Sequence, residues 1–324
     1  MPQFVCNGTL LTKEVAEKLQ KANVLFGVSI DGTKKIHDKN RAFRDGSGSF
    51  DKIIKNIEDI EHKEFLGCAV TLTNNNLKIV DDVKFLSKYF NTIAIKIVRP
   101  NILEKLDYKT INKEYDKLTI YMLKEFKKGK IDTLKRLLNG DDFFGKYLFR
   151  IIGNASVQSR CDGGLGKFAL DFDNNIYTCS GGVGIENLKL GNLDSDIDLD
   201  LGRMLQAKTQ DNDTCNKCKY KKLCGGECMV VSSLNDGVCN EMCLIKQHLI
   251  QLSLFIKGEL MFFYNDLLEE IFKFLEEKAS RSFGDKELAI LANKNIGYTY
   301  MELKKLKDDN DPLYFKLLKK YKIK

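Results

Sequence analysis

The sequence predicts an α/β fold in which helices flank a parallel sheet, followed by a cysteine-rich segment and a helical C-terminal part. Two observations predict it. Short apolar runs alternate with amphipathic helical patterns over roughly the first 100 residues. The composition then shifts to Cys, Gly, Asn and Asp between Arg160 and Cys243, after which long amphipathic helices run to Tyr321.

The apolar runs of the first third predict alternating strands and helices. Phe4–Val5 is predicted as the end of a strand, and Thr12 as the cap of a helix over Thr12–Lys21. The further strands predicted are Val24–Ile30, Gly67–Thr73 and Ile93–Val98, and the further helices are Ser49–Glu61, Leu77–Tyr89, Tyr108–Lys128 and Ile131–Leu138. Strands separated by helices are typical of a parallel sheet.

Two later segments predict local structure. Phe168–Asp171 and Ile176–Thr178 predict a hairpin, because the triplet Asp173-Asn174-Asn175 between them favours a turn. The apolar stretch Leu249–Tyr264 is interrupted by Lys257 and Glu259 and is shorter than the ~20 residues that a membrane span needs. It is therefore predicted to be a buried helix, and no membrane partner is expected.

The charge, the N-terminal sequence and the cysteine count limit which partners and which cellular compartment are expected. The chain has 324 residues and a net charge of +7, but its basic residues are spread along the sequence and mixed with acids, which argues against nucleic acid. Met1–Gln20 lacks the basic start and apolar core of a secretion signal. Ten cysteines without such a signal predict a reducing, cytoplasmic location, where thiols serve metal sites or catalysis more often than disulfides.

Eight of the ten cysteines lie between Cys161 and Cys243. The core of this group is a C-x2-C-x5-C-x3-C array of Cys215, Cys218, Cys224 and Cys228, and the others are Cys161, Cys179, Cys239 and Cys243. Eight thiols are too many for one four-coordinate site and suit two. One structural zinc at the array and a disulfide framework are the alternatives, and spacing alone does not separate zinc from iron–sulfur, since both take tetrahedral thiolates.

Short motifs occur in a fixed order around this array. They are Cys6–Leu11 (CNGTLL), Val28–Gly32 (VSIDG), Ile36–Arg41 (IHDKNR), Asp45–Phe50 (DGSGSF), Phe168–Cys179 (FALDFDNNIYTC) and Leu190–Leu193 (LGNL). Together with the cysteine array, this order resembles the radical S-adenosylmethionine (SAM) enzymes that carry a SPASM domain. The resemblance covers roughly residues 4–250.

The resemblance implies a three-part chain. Residues 1–155 would form a partial radical-SAM (βα) barrel that begins near strand 3. Residues 156–250 would form a SPASM domain with two auxiliary 4Fe–4S clusters, and residues 251–324 a helical extension. The best break before the SPASM domain is near Phe149–Arg160.

The resemblance also implies the cluster ligands. The first auxiliary cluster would be held by Cys161, Cys179 and Cys228, and the second by Cys215, Cys218, Cys224 and Cys243. Cys239 is the alternative to Cys243. With three cysteines, the first cluster would have one iron open to a substrate sulfur, unless Cys239 or a group other than cysteine fills it.

The chain departs from the family at the catalytic cluster. The C-x3-C-x2-C loop that binds this cluster in the family is missing, and Cys6 and Cys68 are isolated. We expect a truncated, mis-started or split enzyme that is inactive alone. The resemblance implies that Asn7, Ser29 and Arg41 contact SAM. The alternative for Ser29 is that it helps Asp31 and Gly32 to form the turn after the strand.

The predicted function is that of a radical SAM/SPASM maturase of a ribosomally made peptide, which in the complete enzyme forms a thioether or another side-chain cross-link. Its partners would be the precursor peptide or protein and a reductant such as flavodoxin or ferredoxin. Sulfatase maturation is an alternative that Ser180 weakens, since those relatives have an acidic base at this position. The remaining alternative is an iron–sulfur or zinc-binding module without catalytic activity. His37 is expected to be a structural turn residue.

Overall fold

The structure is a computed structural model that describes residues 3–99, 107–138, 142–153, 161–209, 211–235, 237–283, 306–307 and 309–320. The chain divides into two compact units. The first comprises Met1–Val98, Lys113–Ala155 and Leu252–Lys324, and the second comprises Arg99–Asn112 and Ser156–Gln251. The three-part division into residues 1–155, 156–250 and 251–324 stays a prediction.

The first unit contains a four-stranded parallel sheet. Its strands are β1 (Gln3–Cys6), β2 (Leu25–Ser29), β3 (Leu66–Leu72) and β4 (Thr92–Ile97), and they pair in this order. Their β-branched and apolar residues suit a buried pleated surface, and Val28 in the middle of β2 is fully buried between Cys6 and Cys68. The predicted α/β class with a parallel sheet is confirmed.

Helices of the first unit follow the strands. They are α1 (Lys13–Lys21), α2 (Lys34–Asn40), α3 (Phe50–Glu58) and α4 (Ile79–Leu86), with a 3₁₀ turn at Lys63–Phe65. The cap of α1 is as predicted, because the Thr12 side chain accepts a hydrogen bond from the Val15 amide. The predicted apolar face of α3, with Ile53 and Ile57, is buried.

Two helices of this region were not predicted. The residues of α2 are mostly polar, and its one buried side chain is His37. Helix α7 (Phe143–Ile152) runs into the predicted domain break. The Asp142 carboxylate caps α7 and also accepts the Ile95 amide of β4 at 3.1 Å, so a long-range contact fixes where the helix begins. Between α4 and α7 lie α5 (Tyr108–Phe126) and α6 (Asp132–Leu137), as predicted.

The second unit holds a small antiparallel sheet and short helices. The sheet consists of β5 (Ala169–Leu170), β6 (Asn175–Tyr177) and β7 (Lys189–Asn192). The predicted hairpin is present, and Asn174 takes a positive φ of 61° in its turn. Short 3₁₀ turns lie at Ser180–Gly182 and Glu186–Leu188, and the α-helices are α8 (Leu199–Lys208), α9 (Asp213–Asn216), α10 (Lys221–Cys224) and α11 (Met229–Leu234).

The C-terminal helices are α12 (Asn240–Phe263), α13 (Asn265–Phe283) and a later helix, Pro312–Lys320. The prediction that Leu249–Tyr264 is a buried helix was wrong for one side of it. Ile256 and Leu260 are fully buried, whereas Phe262 is 80% exposed and Phe263 is 72% exposed. The exposed and the buried positions at this end of the helix carry equally apolar residues, so the sequence did not show which side is exposed. None of the described helices combines the length and apolarity needed to cross a membrane.

Candidate metal centre and cofactor-binding residues

Four cysteines of the second unit line one partly open pocket. They are Cys215, Cys218, Cys224 and Cys243, and we call this site the four-thiol pocket. Glu227 and Lys246 also line it. The four cysteines are those that the sequence assigned to the second auxiliary cluster, an assignment that stays a prediction.

Short helices and glycines place these thiols. Asn212 caps α9 by accepting the Cys215 amide at 2.9 Å, and the Cys218 amide donates to the Cys215 carbonyl at 3.1 Å. This tight turn aims two side chains toward one space. Cys224 ends α10, and Gly225 and Gly226 follow with φ of 75° and 93°, a backbone that side chains rarely adopt. The chain therefore reverses directly behind Cys224.

The electrostatics of the pocket link the thiols to one another. Burial raises the pKa of Cys215, and it raises the pKa of Cys243 to about 11. The Lys246 charge opposes both rises, while thiolates at neighbouring cysteines add to them. Thiolates at this spacing need a compensating positive charge to form together. A thiolate donor set of this kind fits a metal centre.

The spacing of the thiols bears on which metal centre fits. Within the described part of the chain, no group of three or more His, Cys, Asp or Glu side chains is arranged to hold a single metal ion. A structural zinc draws four ligands to ~2.0–2.3 Å of one ion. In a 4Fe–4S cluster each thiolate binds its own iron, so the four sulfurs stand farther apart. The two kinds of centre therefore need different sulfur spacings, and the choice between them stays a prediction.

Cys239 and Cys243 occupy different positions on either side of the start of α12. Cys243 lines the four-thiol pocket. Cys239 is buried outside that lining, and its thiol lies 3.6 Å from Glu241 Oε2. Burial raises the pKa of Cys239 as well. Of the two candidates for the closing ligand, the geometry favours Cys243.

The cysteines assigned to the first cluster lie around one apolar group. Cys179 and Cys228 both pack against the buried cluster of Leu188, Met229 and Val230. Gly163 lies next to both Met229 and Cys161, since a Cβ added at Gly163 would be 2.8 Å from Met229 Cε and 3.6 Å from Cys161 Sγ. Cys161 is therefore also near Met229. Gln206 holds the Cys161 carbonyl by a side-chain hydrogen bond. We call Cys161, Cys179 and Cys228 the three-thiol group.

Sequence reasoning missed a buried ion pair beside these sites. Lys246 Nζ donates to Glu227 Oε1 at 2.5 Å, and the two side chains are 2% and 1% exposed. The same carboxylate oxygen accepts the Cys228 amide at 2.8 Å. Glu227 is the one charged residue between Cys224 and Cys228, which is the feature of the sequence that could have drawn attention to it.

The candidate SAM contact Arg41 already has a partner in the first unit. Its Nε donates to Asp31 Oδ2 at 2.8 Å, and its Nη2 donates to Asp31 Oδ1 at 3.3 Å and to Thr71 Oγ1 at 3.2 Å. Asp31 is 2% exposed and also accepts the Thr71 amide at 2.9 Å. These bonds use Nε and Nη2, so the Nη1 edge of the partly exposed guanidinium remains for a ligand.

His37 ties the loop after β2 together. It lies in helix α2 rather than in a turn, and its Nδ1 accepts the Asp31 amide at 3.2 Å. Its proton is therefore on Nε2, which faces Ser49 Oγ at 2.9 Å, and that hydroxyl donates to the Arg41 carbonyl. Burial lowers the pKa of His37, which favours this neutral form. The ring positions the backbone on both sides of the Asp31–Arg41 pair.

Asn7 and Ser29 lie where β1 and β2 end, at the same edge of the parallel sheet. Asn7 Oδ1 accepts from the amide and the hydroxyl of Thr9, at 3.1 and 2.9 Å, so its side chain is engaged in a local turn. Ser29 is half-buried. The structure brings these residues to the edge that carries Arg41, and their contact with a cofactor stays a prediction.

Comparisons with known proteins identify the relatives of this chain. It is 26% identical over 244 residues to a cysteine-type anaerobic sulfatase-maturating enzyme of Clostridium novyi, covering 68% of this chain and 62% of that protein. It is 25% identical over 293 residues to a serine-type enzyme of Bacteroides thetaiotaomicron, covering 79% and 69%. The chain resembles the anaerobic sulfatase-maturating enzymes. This confirms the resemblance to radical SAM maturases, and no family model matches.

A solved structure shares the fold of this chain. The structure of anSMEcpe with bound AdoMet and the Kp18Cys peptide matches with a TM-score of 0.58 and 20% identity, over 80% of this chain and 75% of that one. At this identity the likeness shows the fold. The chain spans about 62% of the length of the Clostridium novyi relative.

Proposed function

We propose that this chain supplies two auxiliary iron–sulfur clusters and part of the SAM contact of a maturase that modifies a side chain of a peptide or protein. One observation carries the proposal: four cysteines, from α9, the turn after it, α10 and α12, line a single pocket in the cysteine-rich segment. The similarity to sulfatase-maturating enzymes, and to a structure that holds AdoMet with a peptide, supports the cofactor and the substrate class.

Each cluster has its own ligands in this proposal. The four-thiol pocket holds one 4Fe–4S cluster through Cys215, Cys218, Cys224 and Cys243. The three-thiol group holds the other, with one iron left for a substrate sulfur or another ligand. Such clusters relay single electrons, and an iron without a protein thiolate can bind a sulfur donor. Arg41, whose Nη1 is not used in its hydrogen bonds to Asp31 and Thr71, would pair with the SAM carboxylate.

The residue beside the three-thiol group bears on the substrate. Ser180 follows Cys179 directly, and a serine hydroxyl is a poor base at neutral pH. We therefore favour formation of a thioether or another cross-link in a ribosomally made peptide. Formylglycine formation on a sulfatase is the second candidate, and the names of the relatives favour it.

Radical formation from SAM requires three thiolates in a C-x3-C-x2-C loop, which these 324 residues do not contain. The proposal therefore gives this chain the auxiliary clusters and the cofactor contact, and it gives the chain no radical chemistry of its own. A low-potential electron donor such as flavodoxin or ferredoxin, and a cytoplasmic location, belong to the same proposal.

Equilibrium dialysis of the anaerobically reconstituted protein against SAM tests the cofactor assignment. We expect saturable binding, and we expect Arg41→Lys to weaken it about tenfold, because lysine cannot reproduce the forked hydrogen bonds of arginine. Arg44→Lys is the matched control, since Arg44 is exposed and lies three residues away. Binding that is absent, or equally affected by both variants, contradicts the assignment.

A further inference from the structure

The Glu227–Lys246 ion pair joins the two sets of cysteines. Glu227 immediately precedes Cys228 of the three-thiol group, and its carboxylate accepts the Cys228 amide. Lys246 lies on α12 three residues after Cys243 of the four-thiol pocket, so it is about one helical turn away. The ion pair thus connects a ligand of each predicted cluster through one hydrogen-bonded unit.

This ion pair is more deeply buried than is usual for a contact that only stabilises the fold. Both side chains are almost completely removed from solvent, at 2% and 1% exposure. Desolvating two charges costs several kcal/mol per ion, and apolar residues of similar size would often be as stable. The backbone of Glu227 is fixed too, because its amide donates to the Thr209 carbonyl at 2.7 Å. The position of both charges is therefore well defined.

The two charges do not act equally on the thiols. The Lys246 charge acts to lower the pKa of both Cys215 and Cys243, against the rise that burial causes. Glu227 acts to raise the pKa of Cys243, and its effect is smaller than that of Lys246. Both charged side chains also line the four-thiol pocket and are themselves almost completely removed from solvent, where charges interact strongly.

We propose that the buried Glu227–Lys246 pair sets the reduction potential of the cluster in the four-thiol pocket. One-electron reduction of a 4Fe–4S centre by a low-potential donor adds one negative charge to the cluster and breaks no bond. Lys246 stabilises that added charge, and Glu227 moderates the effect. Net charge and hydrogen bonding around a cluster are established controls of its potential. This inference rests on the cluster assignment made above.

Two single variants with opposite expected effects test the proposal. Lys246→Met removes the ammonium and keeps a long apolar stem, so the reduced cluster loses stabilisation. Glu227→Gln leaves Lys246 without its counter-charge, so the reduced cluster gains stabilisation. Lys222→Met is the matched control, because Lys222 is exposed and lies two residues before Cys224. Solvent screens its charge.

The measurement is a redox titration of the reconstituted protein, followed by electron paramagnetic resonance, with iron counted in each variant. At a fixed poise, Lys246→Met should lower the ratio of reduced to oxidised cluster about tenfold, which is about 59 mV for a one-electron couple. Glu227→Gln should raise this ratio, and Lys222→Met should leave it within about twofold of the wild type.

The outcomes separate this inference from the proposed function. Opposite shifts in the two variants support it, whereas shifts in the same direction, or none, overturn it. If Lys246→Met loses iron, Glu227→Gln decides alone, since it keeps the lysine: a rise supports the inference, and no rise overturns it. If both variants lose iron, the pair is only structural and the inference fails. If the wild-type protein itself holds no cluster, the proposed function fails instead.

Discussion

Arg41 and Asp31 form a two-point ion pair at the edge of the parallel sheet, with Nε to Oδ2 at 2.8 Å and Nη2 to Oδ1 at 3.3 Å. Asp31 is buried, and its carboxylate also accepts the Thr71 amide of β3. The pair therefore joins the loop after β2, the end of α2 and the neighbouring strand. The guanidinium is preorganised, and its direction is set before any ligand arrives.

Substitution of Asp31 tests the importance of this pair for stability. Asp31→Asn leaves the Arg41 charge without its partner in a site that is only partly exposed. We expect the free energy of unfolding to fall by about 3 kcal/mol. Urea denaturation measures this change, and Asp51→Asn, whose side chain is 74% exposed, should change stability little. Equal, small effects of both variants would contradict the account.

Asp82 makes the stability of the first unit depend on pH. Burial, helped by the nearby charges of Asp81 and Asp31, raises the pKa of Asp82 from 3.8 to about 7. Between these values the unfolded chain has lost the proton that the folded chain keeps. The contribution of Asp82 to stability therefore falls as the pH rises from about 4 to about 7, by about 4 kcal/mol at most, and it is constant outside this window.

Urea unfolding at about pH 5 and about pH 8 measures this dependence. Asp82→Asn, which cannot ionise, should lose less stability than the wild type over this interval. Asp51→Asn is the control, because the Asp51 side chain is 74% exposed and is not among the charges that raise the pKa of Asp82, so the dependence should stay close to that of the wild type. A pH dependence unchanged by Asp82→Asn would contradict the burial of an ionisable carboxyl here.

Two glycines with the same backbone allow a matched comparison. Gly32 and Gly46 have φ of +83° and +84°, but a Cβ at Gly32 would collide with Asp82 Oδ1, whereas one at Gly46 would meet open space. Gly46→Ala should cost about 1 kcal/mol from its backbone conformation alone. Gly32→Ala should cost about 2 kcal/mol more, because Asp82 must move. Thermal or urea unfolding shows the difference, and equal costs would contradict the packing.

The choice between Cys243 and Cys239 can be tested by counting iron. Cys243→Ser should remove about four irons per chain from the reconstituted protein, because one cluster loses a thiolate. Cys239→Ser should keep the full iron content, since Cys239 lies outside the four-thiol pocket. Circular dichroism checks that both variants are folded. The reverse pattern of iron loss would assign Cys239 as the ligand.

Much of the fold could be predicted from local patterns. The runs that form β2 and β3 have the apolar and β-branched composition of buried strands, and Thr12 marks the start of α1. Helix α7 escaped prediction because its start depends on Asp142 bonding to a strand far away in the sequence. The exposed side of α12 escaped because exposed residues such as Phe262 and Phe263 are as apolar as the buried ones.

The candidate sites, too, could be predicted only where local sequence patterns define them. The resemblance to radical SAM/SPASM enzymes implied that Cys215, Cys218, Cys224 and Cys243 form one ligand set, and these four line one pocket. The partners of the charged residues could not be predicted. Glu227 and Lys246 are separated by 19 positions, and Asp31 and Thr71 by 40. Such pairs are set by how elements pack, and no local pattern in the chain encodes them.

Metal analysis of the anaerobically purified and reconstituted chain tests the central claim most directly. Iron, acid-labile sulfide and zinc are counted per chain, and the reduced protein is examined by electron paramagnetic resonance. The account predicts about eight irons, a matching amount of sulfide, and two distinguishable reduced clusters. One zinc per chain with no cluster spectrum would contradict it, and would make the cysteine array a structural zinc site.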